Sequence, residues 1–421
     1  MERARNSRRG DIDMISSLPD CLIHIIMSFL TAQEAIQTCV LSKRWKNLWA
    51  TLPFLDFDLH KFKYHTELEE GVPKRNQVDM FIGFVSTALL LRKPFDLHKF
   101  CVSGLKVSHF DMMRSWILYA LKHNLQVLNI DLMQECPMPP NVFNCASLVD
   151  ASVAYSLKSL QNIEVINLPC LRRLSLKGAG THITQDFVDK LFYGCPVLEF
   201  LNLEYCYRDF SSINSQSLKY LNSRTICSCR ETKKRMELIN TPNLLSFRDN
   251  ICPYLGGQHM PLNMPSLTSA SICMEKCHYN WPHKNKSSIL MGLLNVQNLE
   301  LSGFEIKAFL EAELSHCPEF SNAKDLSVDG LCLSCHFYRL AAFLNHFPNL
   351  EKLLLYYRGC SCKLRVPAKK TIKLAPFEGK RLRTVEVKFS KSSKYFPQVV
   401  KNLQDYTKNS RAQINMTGLS Y

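Results

Sequence analysis

The chain has 421 residues, of which 46% are hydrophobic and 21% charged, and a formal net charge of +15. This length is too great for one ordinary domain, and the composition is typical of a globular protein rather than a disordered one. No apolar run reaches the roughly 18–20 residues of a membrane-spanning helix, and the N-terminal residues lack the apolar stretch of a secretory signal. We therefore expect no membrane partner.

The 18 cysteines are scattered along the whole chain. A secreted disulfide scaffold is usually a much smaller and denser framework of cysteines. We therefore interpret these residues as reduced thiols that pack as small hydrophobic side chains. This interpretation predicts that the protein resides in the cytoplasm, the nucleus or both.

Lys and Arg number 52 against 37 Asp and Glu. Such a surplus could attract nucleic acid, an anionic surface or an acidic protein. The basic residues are spread along the chain, however, and the densest stretches, residues 5–10 and 230–235, are short. They are typical of a solvated surface, so nucleic acid is not the partner that we expect first.

The N-terminal segment, residues 15–58, predicts three short helices. Pro19 is tolerated in the first turn of the first helix. Thr31 and Glu34 form the T-x-x-E pattern of a capping box, which predicts the start of the second helix, and Ser42 is a good cap for the third. Helical spacing in the first helix predicts one apolar stripe, made of Leu18, Leu22, Ile25, Ile26, Phe29 and Leu30.

The same segment, SLPDCLIHIIMSFLTAQEAIQTCVLSKRWKNLWATLPFLDFD, resembles the plant F-box motif. This resemblance implies docking to a Skp-type adaptor and, through it, to a cullin and the ubiquitin-transfer machinery. It also implies which residues form the adaptor contact or hold its shape, namely Leu18, Pro19, Leu22, Ile25, Phe29, Leu30, Val40, Leu41, Trp45 and Trp49.

The rest of the chain repeats a degenerate L-x-x-L-x-L pattern at intervals of 20 to 32 residues. Most of these intervals match leucine-rich repeats, in which each unit contributes a strand and stacking buries the leucines. Three copies lack a leucine, at Ser223, Asp249 and Ala270. The copies start at Leu125, Leu148, Leu171, Leu198, Leu218, Leu244, Leu267, Val296, Ala323, Leu350 and Leu382.

This order of segments resembles the plant F-box proteins with leucine-rich repeats. The predicted fold class is α/β: an N-terminal three-helix F-box followed by an irregular leucine-rich-repeat solenoid. The solenoid would be a curved parallel sheet with helices or loops on its convex side. We predict an F-box at 11–58, a linking helix and strand segment with a first repeat at 59–122, degenerate repeats at 123–375 and a cap resembling the FBD module at 376–421.

The residues between the buried leucines would point to the concave face of such a solenoid, which is the usual binding surface of repeat proteins. We therefore predict a target-binding surface from the polar residues at these positions. Its candidate residues are Asn129, Asp131, Arg173, Lys177, Asn202, Glu204, Tyr356, Glu386 and Lys388.

No catalytic, metal or cofactor site is predicted. Cys332 and Cys335 form a CxxC pattern, and Cys360 and Cys362 follow 25 residues later. Four thiolates could hold zinc, but CxC is a poor zinc spacing, and packed free thiols are the favoured interpretation. The sequence contains no phosphate-binding glycine loop, no HExxH and no G-x-S-x-G.

The leading hypothesis is a non-catalytic substrate-recognition subunit of an SCF-type ubiquitin ligase. The F-box would bind the Skp-type adaptor and the repeats a target protein, so that catalysis acts through proximity. Two alternatives stay open: a basic repeat protein that binds nucleic acid or another polyanion, and an F-box receptor gated by a small molecule.

Overall fold

The computed structural model of the protein describes residues 15, 17–63, 74–105, 110–132, 138–154, 160, 163–178, 182–226, 238–251, 262–274, 289–359, 377, 381–390, 396–410 and 412–418. The chain divides into two compact units, residues 1–155 and 156–421. None of the described helices combines the length and the apolar character that crossing a membrane requires.

The first unit begins with three short helices, α1 (Asp20–Met27), α2 (Ala32–Gln37) and α3 (Lys43–Leu48). The predicted capping box is confirmed: the Thr31 hydroxyl accepts a hydrogen bond from the Glu34 N–H, and the Glu34 carboxylate accepts one from the Thr31 N–H at 3.0 Å. Ser42 caps α3 by accepting a hydrogen bond from the N–H of Trp45. These caps end the connecting turns and fix where each helix starts.

Parallel strands follow the helices in the first unit. They pair in chain order and comprise β1 (Phe54–Asp58), β2 (Lys99–Ser103), β3 (Val127–Asp131) and β4 (Asp150–Ala154). Two longer helices, α4 (Lys74–Leu91) and α5 (Phe110–Leu121), precede β2 and β3. The ladder therefore starts with β1, well before the first leucine pattern of the sequence at Leu125.

The buried Arg92 joins the helical segment to this sheet. Its guanidinium donates to the carbonyl of Leu52, two residues before β1, at 3.1 Å. It also donates to the carbonyls of Phe95 and Asp96 in the loop before β2, at 2.7 and 2.6 Å. Backbone carbonyls that would otherwise be buried without donors are thereby satisfied.

The described residues of the second unit form parallel strands and short helices. Its helices are α6 (Gln185–Gly194), α7 (Ile306–Glu313), α8 (Leu333–Leu344) and α9 (Phe396–Thr407). Its strands are β5 (Arg173–Lys177), β6 (His182–Thr184), β7 (Phe200–Asp209), β8 (Ser212–Asn214), β9 (Tyr220–Ile226), β10 (Leu238–Asn240), β11 (Ser246–Ile251), β12 (Leu262–Asn263), β13 (Ser269–Met274), β14 (Asn298–Ser302), β15 (Asp325–Val328), β16 (Lys352–Tyr357), β17 (Thr384–Phe389) and β18 (Gln413–Gly418).

The main sheet of the second unit has the strand order β5-β7-β9-β11-β13-β14-β15-β16-β17-β18, and β6 adds to β7. A smaller parallel sheet, β8-β10-β12, forms from the segments that return between repeats. Each strand from β9 to β17 in the main sheet begins two residues after a repeat start that the sequence predicts. The predicted α/β fold with a leucine-rich-repeat parallel sheet is thus confirmed.

In-register stacking places the leucines of successive strands side by side in the core. Leu201, Leu221 and Phe247 are neighbours across β7, β9 and β11, and all three are buried. Alternate residues of the same strands point to the opposite side of the sheet. We call the side formed by these outward residues the front face. In the second unit, one of its rows of residues runs from Arg173 on β5 to Gln413 on β18.

Polar residues replace leucine in the core of the repeats around Asp249. Ser223 and Asp249 occupy neighbouring inward positions of β9 and β11, and both are buried. The Arg208 guanidinium bonds both oxygens of the Asp249 carboxylate, at 3.0 and 2.9 Å. Burial raises the pKa of Asp249, and the positive charge of Arg208 opposes that rise. At Asp249, the missing leucine is therefore replaced by a buried ion pair and not by an empty cavity.

A β-bulge brings Arg208 to this carboxylate. The register of β7 against β9 shifts between Glu204 and Tyr207, and Tyr205 has a φ of 59°. Bulges re-aim the side chains of a strand. Since β9 pairs with both β7 and β11, the ion pair connects two strands that are not neighbours.

Candidate functional site

The core of the N-terminal helices contains both predicted tryptophans. Trp45 and Trp49 are 5% and 8% exposed, and they pack with Ile23, Met27 and Leu48. Leu18 and Leu30 are half-buried against the same cluster. Of the residues assigned to adaptor binding from the sequence, these four hold the shape of the module and present little surface to a partner.

The other predicted adaptor residues lie on the surface. Phe29 and Val40 are each 84% exposed, and Leu41 is 64% exposed. Pro19, Leu22 and Ile25 are also exposed. An exposed apolar cluster of this kind marks a protein-interaction site. We call it the apolar docking set, and its members are Ile15, Pro19, Leu22, Ile25, Ile26, Phe29, Val40 and Leu41.

The sequence reveals the apolar stripe of α1 but not which side of α1 is buried. Ile23 and Met27, which lie outside the predicted stripe, form the buried side. Leu22, Ile25 and Ile26 of the stripe are exposed. The helix is apolar on both sides, so the spacing of its apolar residues fits either side facing the core. The second apolar side of α1 is therefore exposed and available to a partner.

Capping and an ion pair hold the docking set in position. The Arg44 Nε donates to the Asp20 carboxylate at 3.0 Å, and its guanidinium also bonds the Leu18 carbonyl. These bonds tie α3 to the start of α1. Val40 and Leu41 lie in the short turn between α2 and Ser42, the cap of α3. The two caps described above fix the helices on either side of this turn, which leaves both side chains on the surface.

The front face of the first unit carries the exposed candidates Asn129 and Asp131 on β3. Asp56 and Asp58 of β1 lie in the same two register rows, next to Cys101 and Ser103. Burial raises the pKa of the Cys101 thiol to about 11, so this thiol is protonated at neutral pH and inert as a nucleophile.

The front face of the second unit carries the other candidates in two groups at different ends of the sheet. Arg173 is exposed, and Lys177 and Glu204 lie half-buried opposite each other on β5 and β7. At the other end, Tyr356 and Lys388 are neighbours on β16 and β17.

The second group is held together by pairwise contacts. The Lys388 ammonium lies 5.3 Å from the centre of the Tyr356 ring, a cation–π distance. The Glu386 carboxylate bonds Lys352 at 2.9 Å, and this partner raises the pKa of Lys352. Lys352 and Glu386 therefore match each other's charge within the chain, while Lys388 contacts a neutral ring.

The predicted candidate Asn202 is buried rather than accessible. Its amide donates to the Ser175 hydroxyl at 2.8 Å and accepts from the Asn222 amide at 2.6 Å. The three side chains form a ladder across β5, β7 and β9. A second ladder joins Asn240 to the asparagines of the neighbouring strands in the small sheet.

A cavity of about 600 Å³ lies on the front face between β7 and β16. Tyr220 lines one end of it, Arg248 and Glu300 line the middle and Tyr356 lines the other end. Of the residues predicted from the sequence, only Tyr356 belongs to it. Many of the others were missed because the sequence singles out copies with intact leucines, whereas half of the cavity lies on the degenerate copies of β9, β11 and β13.

The described residues contain no group of three or more His, Cys, Asp or Glu side chains that could hold a metal ion. Cys332 and Cys335 are described at the start of α8. Cys360 and Cys362, the other two thiols considered as zinc ligands, lie outside the described residues. Burial raises the pKa of Glu313 to about 7 and lowers that of His336, and each lies in the packed interior of the repeats.

The comparisons with known proteins agree with this geometry. The model of the F-box domain matches residues 15–57, the segment of α1, α2, α3 and most of β1. The model described as FBD-associated F-box protein At5g56370, LRR repeats, matches residues 113–253, which contain β3 to β11. The fold and these matches define a repeat protein headed by an F-box.

Three relatives from Arabidopsis thaliana extend the match over most of the chain. F-box/LRR-repeat protein At3g59210 is 30% identical over 75% of this chain and 68% of its own length. F-box/LRR-repeat protein At4g14103 is 29% identical over 86% and 98%, and an F-box/FBD/LRR-repeat protein, At3g59240, is 27% identical over 93% and 80%. The chain belongs to the plant F-box/LRR-repeat family, whose domains support a general role in substrate recognition for SCF-type ubiquitin ligases.

Proposed function

We propose that this chain is a non-catalytic target-binding subunit of an SCF-type ubiquitin ligase in the cytoplasm or nucleus. Its apolar docking set binds a Skp-type adaptor and, through it, a cullin, and its repeats hold a target protein. The observation that carries the proposal is the exposure of Phe29, Val40 and Leu41 beside a core that is already complete without them.

Burial of this set supplies the free energy of docking. Large apolar side chains gain roughly 1.5–3 kcal/mol each when they are removed from water. The hot spots of protein interfaces concentrate such gains in a few central side chains. Since α1 and the turn before α3 carry these residues on short capped helices, little ordering is needed when the partner binds.

The repeats support the second half of the proposal through the polarity of their front face. Its charged side chains are of both signs, and several are paired, such as Arg358 with Asp329 at 2.7 Å and Lys352 with Glu386 at 2.9 Å. Paired charges favour selective protein recognition over binding of a uniform polyanion. The nucleic-acid and small-molecule alternatives stay predictions, and the mixed charges weigh against the first.

Localisation in a reducing compartment is supported by the thiols. Cys101, Cys145 and Cys195 are free thiols, and they are buried among apolar side chains. Buried thiols of this kind pack as small hydrophobic groups. The proposed mechanism is proximity: the chain raises the effective concentration of a target beside the ubiquitin-transfer machinery.

Co-purification with a Skp-type adaptor tests the adaptor role. Phe29→Ala, Val40→Ala and Leu41→Ala should each weaken binding by about tenfold or more, and the triple variant should abolish it. Leu90→Ala is the matched control because Leu90 is equally exposed, at 83%, on α4 outside the docking set. Unchanged adaptor binding by a folded triple variant would contradict the proposal.

A further inference from the structure

The front-face cavity of the second unit has an apolar, aromatic end. The rings of Phe200 and Tyr220 lie 6.3 Å apart, centre to centre, on neighbouring strands. Tyr220 is 44% exposed, so its ring offers an open face to a ligand. Aromatic rings bury a large area with few rotatable bonds, which makes them common anchors of binding sites.

The floor of the cavity consists of small polar side chains. Ser269, Ser271 and Ser327 line it, and within the described residues their hydroxyls make no hydrogen bond. Ala270, below the floor between two of these serines, is the position where the repeat has lost its leucine. Serine hydroxyls can both donate and accept hydrogen bonds. The floor thus has unused capacity for the backbone of an extended chain.

The middle of the cavity carries one cation and one carboxylate that are only loosely paired. Arg248, Ser271 and Glu300 are in register on β11, β13 and β14. The Arg248 guanidinium and the Glu300 carboxylate are 3.9 Å apart, and their side chains are 44% and 45% exposed. An exposed pair of this kind contributes little to stability, so each group can exchange its partner for a ligand charge at small cost.

The spacing of these features fits an extended polypeptide. Five strand-to-strand steps separate β9, with Tyr220, from β16, with Leu354 and Tyr356. At about 4.8 Å a step the span is roughly 24 Å, which an extended chain of about seven residues covers at about 3.3 Å per residue. Arg248 and Glu300 lie two steps apart, roughly 10 Å or three residues.

We propose that this cavity binds an extended segment of a target protein that carries, counted from the Tyr220 end, an apolar side chain, then a carboxylate and then a cation. The inference rests on the proposed function and names the substrate class for it. The apolar side chain packs on Tyr220, the carboxylate binds Arg248 and the cation binds Glu300. Backbone groups of the segment bond the serine hydroxyls of the floor.

A displayed library of random nonapeptides, selected on the purified full chain, tests this proposal. We expect enrichment of peptides with an apolar residue and with a carboxylate and a cation about three residues apart. Arg248→Glu and Glu300→Arg should each weaken binding of an enriched peptide by about tenfold or more. The double exchange Arg248→Glu/Glu300→Arg should select peptides in which the two charges are reversed in order.

Matched variants separate this cavity from the rest of the front face. Arg224→Glu is the charge control, since Arg224 is an exposed front-face residue of β9 outside the cavity. Ser271→Trp should block peptide binding, whereas Ser152→Trp on the front face of the first unit should not. Enriched peptides that bind the Arg248→Glu, Glu300→Arg and Ser271→Trp variants as well as the parent chain would overturn the proposal.

Adaptor co-purification, measured on every variant, distinguishes the two proposals. A chain that binds the adaptor but enriches no peptide overturns the peptide site and leaves the adaptor role standing. A chain that enriches the expected peptides but does not bind the adaptor overturns the ligase role alone, and the cavity remains a peptide site.

Discussion

The N-terminal helices and the repeats of the second unit distribute their polar and apolar side chains in opposite ways. The helices have an apolar core and expose Phe29, Val40 and Leu41. The repeats expose serines and charged side chains on the front face and bury the Arg208–Asp249 pair. Apolar burial is strong and non-directional, whereas charges and hydrogen bonds select among partners. One region is therefore suited to docking a constant partner and the other to discriminating among targets.

The largest expected effect comes from the buried charge that distinguishes the repeats. Arg208→Ala leaves the Asp249 carboxylate buried without its cation, and we expect a loss of about 3–5 kcal/mol in the free energy of unfolding. The double variant Arg208→Met/Asp249→Leu should recover most of that loss, because it removes both charges. Urea denaturation of the two variants measures the difference. Equal stability of Arg208→Ala and the parent chain would show that the pair is solvated.

The second test divides the N-terminal helices into core and docking set. Trp45→Ala should destabilise the module by about 3–5 kcal/mol, because it empties a large buried volume. Phe29→Ala should leave stability nearly unchanged while it weakens adaptor binding. Thermal unfolding and adaptor affinity, measured on both variants, check this division. A large loss of stability in Phe29→Ala would mean that Phe29 packs inside the fold.

The third test uses pH to probe the buried carboxyl of the repeats. Burial raises the pKa of Glu313 from 4.5 to about 7. A carboxyl with a raised pKa stabilises the fold fully below pH 4.5, and this contribution disappears as pH rises through about 7. Glu313→Gln should therefore be more stable than the parent chain at pH 8, by about 2 kcal/mol after solvent screening. The two should converge near pH 4.5, and parallel stability curves across this range would contradict the assignment.

The smallest expected effect concerns the capping box. Thr31→Ala removes the bond to the Glu34 N–H at the start of α2 and should cost about 1 kcal/mol. The exposed Gln37→Ala, at the other end of the same helix, serves as its control. Adaptor affinity should fall only modestly, since the docking set itself is intact. A complete loss of binding would place Thr31 in the interface.

Much of the fold follows from local signals in the sequence. The capping residues Thr31 and Ser42 start helices where their side chains predict, because a cap satisfies backbone donors within one turn. The leucine pattern likewise marks each strand from β3 to β5 and the main-sheet strands from β7 to β17. The strands β1, β2 and β18 lack this pattern. β1 and β18 are edge strands, which have one neighbour and need fewer matching leucines, whereas β2 pairs with both β1 and β3.

The sites were less predictable for a physical reason. Trp45 resembles an interface anchor in the sequence, yet it is buried, since residue type does not reveal which partner covers a side chain. Asn202 alternates with leucines like a surface residue, but its ladder with Ser175 and Asn222 depends on the register of three strands. Arg248 and Glu300 are far apart in the chain. They come close because their strands, β11 and β14, both pair with β13.

The Arg208–Asp249 pair limits how the repeat array could grow or shrink. In a simple stack each repeat touches only its neighbours, so a repeat can be inserted or deleted without changing the others. This pair bridges β7 and β11 across β9, and a unit added or removed beside β9 would strand a buried carboxylate away from its cation. The number of repeats between β7 and β11 is therefore fixed. Insertion or deletion of a repeat is tolerated only outside these strands.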